Sequence, residues 1–256
     1  DIHYLGFHGN KLFAGTDGGI YVSEDNGANF TDLTAGVQIS QFYKIAVSKQ
    51  SSGNMVGGLQ DNGGYAYSGE QWKNFYGADG MDTAIDPNNQ NLYYGFIQYG
   101  GTMYISTNGG NSRSGSVASP GGIDGNWVTP LVVNSTGELF SGFNFLYKLS
   151  GTTWQQLNSV QTGSGNIDYI EIDPTNDTII YIANGTGLYK SNDGGLNFSD
   201  ISTGLPNIGK NIIVHQGLNT DNPLYVGTSL GVFYRDDTMS SWQAFDTNLP
   251  NVSVTD

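Results

Sequence analysis

Short segments with alternating apolar and polar residues recur along the whole chain at intervals of about forty residues. Each repeat opens with one such segment, passes through a polar turn into a second, and reaches a third after a turn that contains glycine. The first repeat shows all three, at residues 3–7, 11–15 and 19–23. Alternation with a period of two is typical of half-buried β-strands, and no window shows a convincing apolar period of 3.6 residues. The pattern predicts an all-β chain.

A short fourth strand is predicted in every repeat after an aromatic residue. Six passes of four strands, each about forty residues long, are typical of a β-propeller with four-stranded antiparallel blades. A flat sheet of that many strands would twist and curl, which favours radial closure. We predict one propeller over residues 1–256, with units at about 1–38, 39–79, 80–128, 129–165, 166–208 and 209–250. The aromatic residues are Phe30, Trp72, Trp127, Trp154, Phe198 and Trp242.

The last six residues have the pattern of another first strand. Val252 and Val254 alternate with polar residues, so residues 251–256 are predicted to begin a further strand. We therefore expect the native polypeptide to continue into further blades of a larger propeller or into a C-terminal sorting domain. The alternative is a complete six-bladed ring in which 251–256 is a loose tail.

A turn motif recurs between the third and fourth strands. Residues 23–30 and 191–198 both fit Ser-x-Asp-x-Gly-x-x-aromatic, and residues 106–113 are a degraded copy with Asn for Asp and Arg for the aromatic. Here an Asp can accept backbone N–H groups, Gly supplies positive φ, and the aromatic residue packs between blades. For Asp25 and Asp193, calcium binding is the alternative to a structural role. A structural role in the box is predicted for Ser23, Asp25, Gly27, Phe30, Ser106, Asn108, Gly110, Ser191, Asp193, Gly195 and Phe198.

This motif resembles the Asp-box, or BNR, repeat of sialidases, sortilin-type receptors and family 74 glycoside hydrolases. Residues 57–64 and 77–82 are also similar to segments of secreted repeat proteins from Bacteroidetes-type bacteria. The resemblance implies a propeller with its boxes on the outer rim, away from substrate. It further implies that residues 16–21 match the segment around one catalytic Asp of the family 74 enzymes, and 61–65, more loosely, the segment around the second.

The turns between second and third strands are the best candidates for a ligand-binding face, because propeller ligands bind at one end of the channel. Asp17 and Asp61 lie in two of these turns, and most glycosidases hydrolyse with paired carboxylates. Ordinary hairpin chemistry also accounts for Asp-Gly and Asp-Asn-Gly. The other ligand-binding candidates in these turns are Gln60, Asn62, Gln98, Tyr99, Asn144 and Asn184.

Departures from the resembled families limit the enzymatic hypothesis. The family 74 enzymes place their two Asp on separate propellers that face a cleft, whereas Asp17 and Asp61 lie in adjacent repeats. Arg113 and Arg235 are the only arginines, so the arginine triad of sialidases cannot be built.

Metal binding has one further candidate. Asp79 and Asp82 form another acidic pair that could bind Ca²⁺, with solvated turn carboxylates as the alternative. No other cofactor is indicated.

Composition narrows the function classes. Lys plus Arg total 9 and Asp plus Glu total 23, which gives a net charge of −14. With no basic run, the chain is a poor candidate for binding nucleic acid or an anionic membrane surface. It also lacks an apolar run long enough to insert into a membrane. The absence of cysteine, the scarcity of Lys and Arg, and the abundance of Asn and Tyr suit a secreted or cell-surface bacterial protein.

These observations favour an interaction module that binds a glycan or a protein partner through its loop face. The alternative is a polysaccharide-degrading glycoside hydrolase that uses Asp17 and Asp61.

Overall fold

The computed structural model describes residues 1–37, 40–247 and 250–255, and this part of the chain is all β. Its only helical turns are two short 3-10 turns at Gln98–Gly100 and Pro120–Gly122. The strands are β1 (Ile2–His8), β2 (Lys11–Thr16), β3 (Gly19–Ser23), β4 (Thr31–Asp32), β5 (Phe42–Val47), β6 (Met55–Leu59), β7 (Gly63–Ser68), β8 (Gln71–Tyr76), β9 (Gly80–Ile85), β10 (Tyr93–Ile97), β11 (Thr102–Ser106), β12 (Gly115–Ala118), β13 (Leu131–Val133), β14 (Leu139–Gly142), β15 (Leu146–Ser150), β16 (Thr153–Gln156), β17 (Tyr169–Ile172), β18 (Ile180–Asn184), β19 (Gly187–Ser191), β20 (Ser199–Asp200), β21 (Lys210–His215), β22 (Leu224–Thr228), β23 (Gly231–Arg235) and β24 (Gln243–Ala244).

These strands form six four-stranded sheets, each built from four consecutive strands that pair antiparallel. We refer to the sheets as blades 1 to 6 in chain order. Tight turns join the second and third strands, as in blade 1, where Thr16 pairs with Gly19 across two intervening residues. The predicted fold class, six blades of four antiparallel strands, is confirmed. The boundary expected between the first two units falls on residues 38 and 39, which lie outside the described residues.

Hydrophobic clusters between neighbouring blades hold the sheets together. Phe140 and Leu146 of blade 4, for example, belong to one buried cluster with Ile170 and Ile180 of blade 5. Similar clusters join blades 2 and 3, 3 and 4, and 5 and 6. Blades 2 to 6 therefore bury faces against one another, as expected for repeat proteins.

The fourth strand of blade 3 differs from the prediction. It is β12, which directly follows the degraded box, whereas Trp127 lies in the loop that leads to blade 4. Because this box lacks its aromatic residue, the nearest downstream tryptophan was a misleading marker. Phe30 is also 45% exposed, so the aromatic residue of the first box is not packed between blades.

Two features stand at the ends of the chain. Four apolar side chains of β1, those of Ile2, Tyr4, Leu5 and Phe7, are all more than half exposed. Residues 251–255 form no strand, and Asp256 lies outside the described residues.

The C-terminal segment nevertheless contacts blade 6 in a way that recurs elsewhere. The Val254 N–H donates to Thr228 O at 2.9 Å, and Asn211 Nδ2 donates to Val254 O at 3.0 Å. The same two bonds occur where the chain enters blade 5. There the Ile167 N–H donates to Phe143 O, and Asn126 Nδ2 donates to Ile167 O. The segment therefore occupies the position of a strand lead-in.

Candidate functional site

The structure brings the two candidate catalytic residues together. The main-chain nitrogen of Asp1 lies 2.9 Å from Asp17 Oδ2 and 3.9 Å from Asp61 Oδ2, so these two oxygens are at most about 6.8 Å apart. Glycosidase carboxyl groups are about 5–5.5 Å apart in retaining enzymes and about 6.5–9.5 Å apart in inverting ones. The separation of the Asp17 and Asp61 carboxylates is therefore compatible with a mechanism that uses two carboxylates.

The electrostatics of the pair are less favourable to catalysis. His3 Nε2 bonds Asp17 Oδ1, and this bond is among the interactions that lower the pKa of Asp17. A glycosidase acid needs a raised pKa so that it is protonated at neutral pH. Asp17 therefore suits the role of an ionised base or nucleophile and not that of the acid.

The two candidate metal ligands have different partners. Asp79 Oδ1 accepts the Asp61 N–H at 2.8 Å, so this carboxylate supports the left-handed turn at Asp61, where φ is 58°. Asp82 Oδ2 accepts the Leu131 N–H at 3.0 Å and connects blade 3 to blade 4. Within the described ranges, no group of three or more His, Asp or Glu side chains is arranged to hold a metal ion. The calcium hypothesis stays a prediction.

An aromatic groove opens beside the carboxylate pair, between blades 1 and 2. Its volume is ≈550 Å³. Trp72 is 42% exposed, and its ring centroid lies 5.5 Å from that of Phe42 and 5.3 Å from that of Tyr67. We call this the blade 1–2 groove, defined by its lining residues Thr34, Phe42, Leu59, Asn62, Tyr65 and Trp72.

The groove combines the features that sugar ligands use. A half-exposed indole offers an apolar face for stacking, and the Thr34 hydroxyl and the Asn62 amide add polar groups. The amide of Asn62 is oriented by a bond from its Nδ2 to Gln60 O at 2.9 Å. Of the sequence-predicted ligand residues, Gln60 and Asn62 therefore lie with Asp17 and Asp61 on one surface.

The remaining ligand candidates lie elsewhere. Asn144 Oδ1 accepts from Tyr147 at 3.2 Å. Asn184 is only 2% exposed, so its side chain does not reach the surface as expected. The buried Gln98 Oε1 has no hydrogen-bond partner among the described residues.

Tyr99 belongs to a second aromatic surface, in blade 3. Its φ is 59°, its ring is 45% exposed, and it meets the ring of Trp127 edge-on at 5.1 Å. Tyr43 of blade 2 contacts Trp127 from another side at 6.3 Å. The left-handed backbone at Tyr99 holds its ring beside these two.

The three turn boxes share one hydrogen-bond scheme. In the first, the Ser23 hydroxyl donates to Asp25 Oδ1 and accepts the Gly27 N–H, while Asp25 accepts from both the backbone and the side chain of Asn29. The box at 191–198 has the same bonds. Bonds from the following Asn and from the serine lower the pKa of both Asp25 and Asp193 to about 2.

The degraded box keeps this scheme despite its substitutions. Ser106 donates to Asn108 Oδ1 at 2.9 Å and accepts the Gly110 N–H at 3.0 Å. Asn108 Oδ1 also accepts the Ser112 N–H, while Asn108 Nδ2 donates to the Ser112 hydroxyl. Asn108 can replace the aspartate of the other boxes because its partner is the Ser112 hydroxyl, which accepts a hydrogen bond from the Asn108 amide.

Two ionisable groups in unusual surroundings were not found from the sequence. Lys210 is 1% exposed, and its Nζ donates to three carbonyl oxygens, those of Thr186, Pro206 and Ile208. Glu171 lines a cavity of ≈330 Å³ between the first strands of blades 2 to 5, and burial raises its pKa to about 7. Neither position differs in sequence pattern from an ordinary strand residue.

The comparisons with known proteins identify the fold. No family model and no curated protein matches the chain. Among solved structures, an ancestral GH74 enzyme matches with 15% identity and a TM-score of 0.63, over 95% of this chain and 38% of that one. The YCF48 protein bound to D1 peptide matches with 15% identity and a TM-score of 0.57, over 95% and 82%. The extracellular domain of BT4673 from B. thetaiotaomicron matches with 12% identity and a TM-score of 0.62, over 98% and 35%.

At these identities the likeness concerns the fold alone. With the six blades described above, it defines the protein as a β-propeller. The chain spans less than half the length of the GH74 structures that it matches. None of the helical turns in the described ranges is long and apolar enough to cross a bilayer.

Proposed function

We propose that the protein is a secreted or cell-surface interaction module that binds a glycan or protein partner through the face carrying the turns between second and third strands. The observation that carries the proposal is the blade 1–2 groove, which is lined by the half-exposed Trp72 and by Asn62. Asn62 is the chain neighbour of Asp61, and Gly18, another lining residue, is the chain neighbour of Asp17. An aromatic face with hydroxyl, amide and carboxylate groups at its edge matches the apolar face and hydroxyl rim of a sugar ring.

Two structural neighbours support a binding role. The YCF48 structure holds a D1 peptide, and the BT4673 domain is extracellular. The scarcity of Lys and Arg and the absence of cysteine support a secreted or surface location.

A glycan array tests the binding role. We expect wild-type protein to bind a subset of glycans and Trp72→Ala to lose at least about ten-fold in affinity for them, because the stacking face is removed. Phe30→Ala is the matched control, since Phe30 is also half exposed but lies outside the groove. Equal binding by the wild type and Trp72→Ala would contradict the proposal.

The hydrolase alternative rests on the short separation of Asp17 and Asp61. It is tested by incubating the protein with polysaccharides and measuring released reducing ends. If the protein hydrolyses glycans, Asp17→Asn and Asp61→Asn should each abolish release. Binding on the array without release, in wild type and both variants, would leave the interaction module as the function.

A further inference from the structure

A second pocket lies between blades 5 and 6, away from the blade 1–2 groove. Its volume is ≈150 Å³. The residues that matter for its chemistry are Tyr181, Lys190, Asn222, Arg235, Asp236 and Asp237. Lys190 and Arg235 stand at the ends of their third strands, whereas Asp17 and Asp61 lie in turns that precede third strands. We call this the blade 5–6 pocket.

The pocket exists where the repeat departs from its own pattern. In blade 5 the box glycine Gly195 packs so closely on blade 4 that an added Cβ would lie 2.5 Å from Leu146. In blade 3 a Cβ on Gly110 would overlap that of Ala66 in blade 2. Blade 6 has Met239 at the corresponding position. Its turn cannot approach blade 5 as closely, and a space remains.

Arginine replaces the box serine at the same place. Ser23, Ser106 and Ser191 are buried, and their hydroxyls bond within their own turns. Arg235 stands at this position in blade 6 and lines the pocket. In the part of the chain that the structure describes, its guanidinium has no hydrogen bond or ion pair. The N–H donors of the Arg235 guanidinium therefore remain available to a ligand.

Lys190 adds a second cation to the same pocket. Its Nζ lies over the ring of Tyr181, 5.4 Å from the centroid, and across the described ranges it forms no salt bridge. Lys148, at the corresponding position in blade 4, binds Glu138 at 2.9 Å. In blade 5 the position that corresponds to Glu138 is Ile179, so Lys190 has no equivalent carboxylate partner.

Two carboxylates at the pocket already have hydrogen-bond partners within blade 6. Asp236 accepts from Tyr234 Oη, from the Thr238 N–H and from the Thr238 hydroxyl. Asp237 accepts from Asn222 Nδ2 at 2.6 Å. The two aspartates balance the two cations, so a ligand with one negative charge is repelled less than a dianion, and attraction depends on the unpaired donors of Arg235 and Lys190. Arginine pairs well with the planar, bidentate carboxylate.

We propose that the blade 5–6 pocket binds the carboxylate of a small acidic ligand, such as a uronic acid, with Arg235 as the main contact and Lys190 as the second. The site is separate from the blade 1–2 groove. If the blade 5–6 pocket binds no carboxylate, the proposed function at the blade 1–2 groove is unaffected. If the groove binds no partner, the proposal for the pocket is likewise unaffected.

Calorimetric titration with glucuronate tests the site, with glucose and inorganic phosphate as the comparison ligands. We expect saturable binding of glucuronate, none of glucose, and weaker binding of phosphate. Arg235→Ser restores the serine of the other boxes and should weaken glucuronate binding at least about ten-fold, and Lys190→Gln should weaken it about three-fold or more. Lys148→Gln, which removes the paired lysine of blade 4, should leave it within about two-fold.

Several results would overturn the proposal. These are no saturable glucuronate binding, equal binding of glucose, tighter binding of phosphate, or glucuronate binding that neither Arg235→Ser nor Lys190→Gln weakens. Circular dichroism of each variant establishes that it is folded. If Arg235→Ser does not fold, Lys190→Gln decides the outcome alone.

Discussion

Lys210 is a buried charge at the start of blade 6 with three carbonyl partners. The three bonds connect the first residue of β21 to the loops that carry Thr186, Pro206 and Ile208. Burying an ammonium group is unfavourable unless all its donors are satisfied, and here each of the three N–H groups has a partner. The lysine therefore links blade 5, blade 6 and the segment between them.

Removing this charge should destabilise the propeller strongly. We expect Lys210→Met to lower the free energy of unfolding by about 2–4 kcal/mol, because three partly buried hydrogen bonds lose their donor. Lys148→Met is the control, since its exposed ion pair contributes about 0–1 kcal/mol. Denaturant unfolding of both variants provides the comparison, and equal effects would contradict the role given to Lys210.

Glu171 predicts a specific dependence of stability on pH. The side chain lines the cavity between the first strands of blades 2 to 5, its carboxyl accepts the His215 N–H at 3.2 Å, and Asp173 and Lys49 are the charged groups that act on it. Because burial raises its folded pKa to about 7, the folded state holds this proton more tightly than the unfolded state. Its effect on stability is therefore absent at acid pH, and stability decreases as pH rises from about 4.5 through 7.

Glu171→Gln should remove this dependence while keeping an acceptor for His215. Between pH 5 and pH 8 the wild type should lose about 2 kcal/mol more unfolding free energy than the variant. Unfolding curves measured across that range test the difference. Parallel pH profiles for the two proteins would show that Glu171 is not the titrating group.

At the scale of the element, the three boxes show that the same turn forms with either an aspartate or an asparagine at its third position. Asp193 accepts from the amide of Asn197, whereas Asn108 donates to the hydroxyl of Ser112. The acceptor and donor roles are exchanged together, so the turn stays satisfied in both versions.

This exchange predicts a non-additive pair of substitutions. Asp193→Asn alone should lower the melting temperature by a few degrees, because two amide NH₂ groups then face each other across the turn. Adding Asn197→Ser recreates the partners found at Asn108 and should recover most of the loss. Thermal unfolding of both single variants and the double variant measures the coupling, and simple additivity would refute the shared scheme.

At the scale of the whole molecule, the fold could be predicted because every blade repeats the same local information. Four short strands per forty residues and a turn box are visible without any long-range contact. The adjacency of Asp17 and Asp61 could also be predicted, since both occupy equivalent turns of neighbouring repeats. Trp127 was assigned to the wrong element because the degraded box removed the aromatic marker that should precede β12.

The groove and the buried charges could not be predicted in the same way. Phe42 and Trp72 come from the first and fourth strands of blade 2, and their contact depends on how that blade curves beside blade 1. The environment of Lys210 depends on three carbonyl groups in two separate loops. The blade 5–6 pocket follows from the absence of a glycine at position 239, which has meaning only once the packing of Gly110 and Gly195 is known.

The central claim is that a partner binds at the blade 1–2 groove, and hydrogen–deuterium exchange with and without the glycan identified on the array tests it most directly. The account predicts slower exchange confined to β5–β8 and to the end of blade 1 near Thr34, where the lining residues lie. Slower exchange that spares these segments and falls on another blade would contradict it.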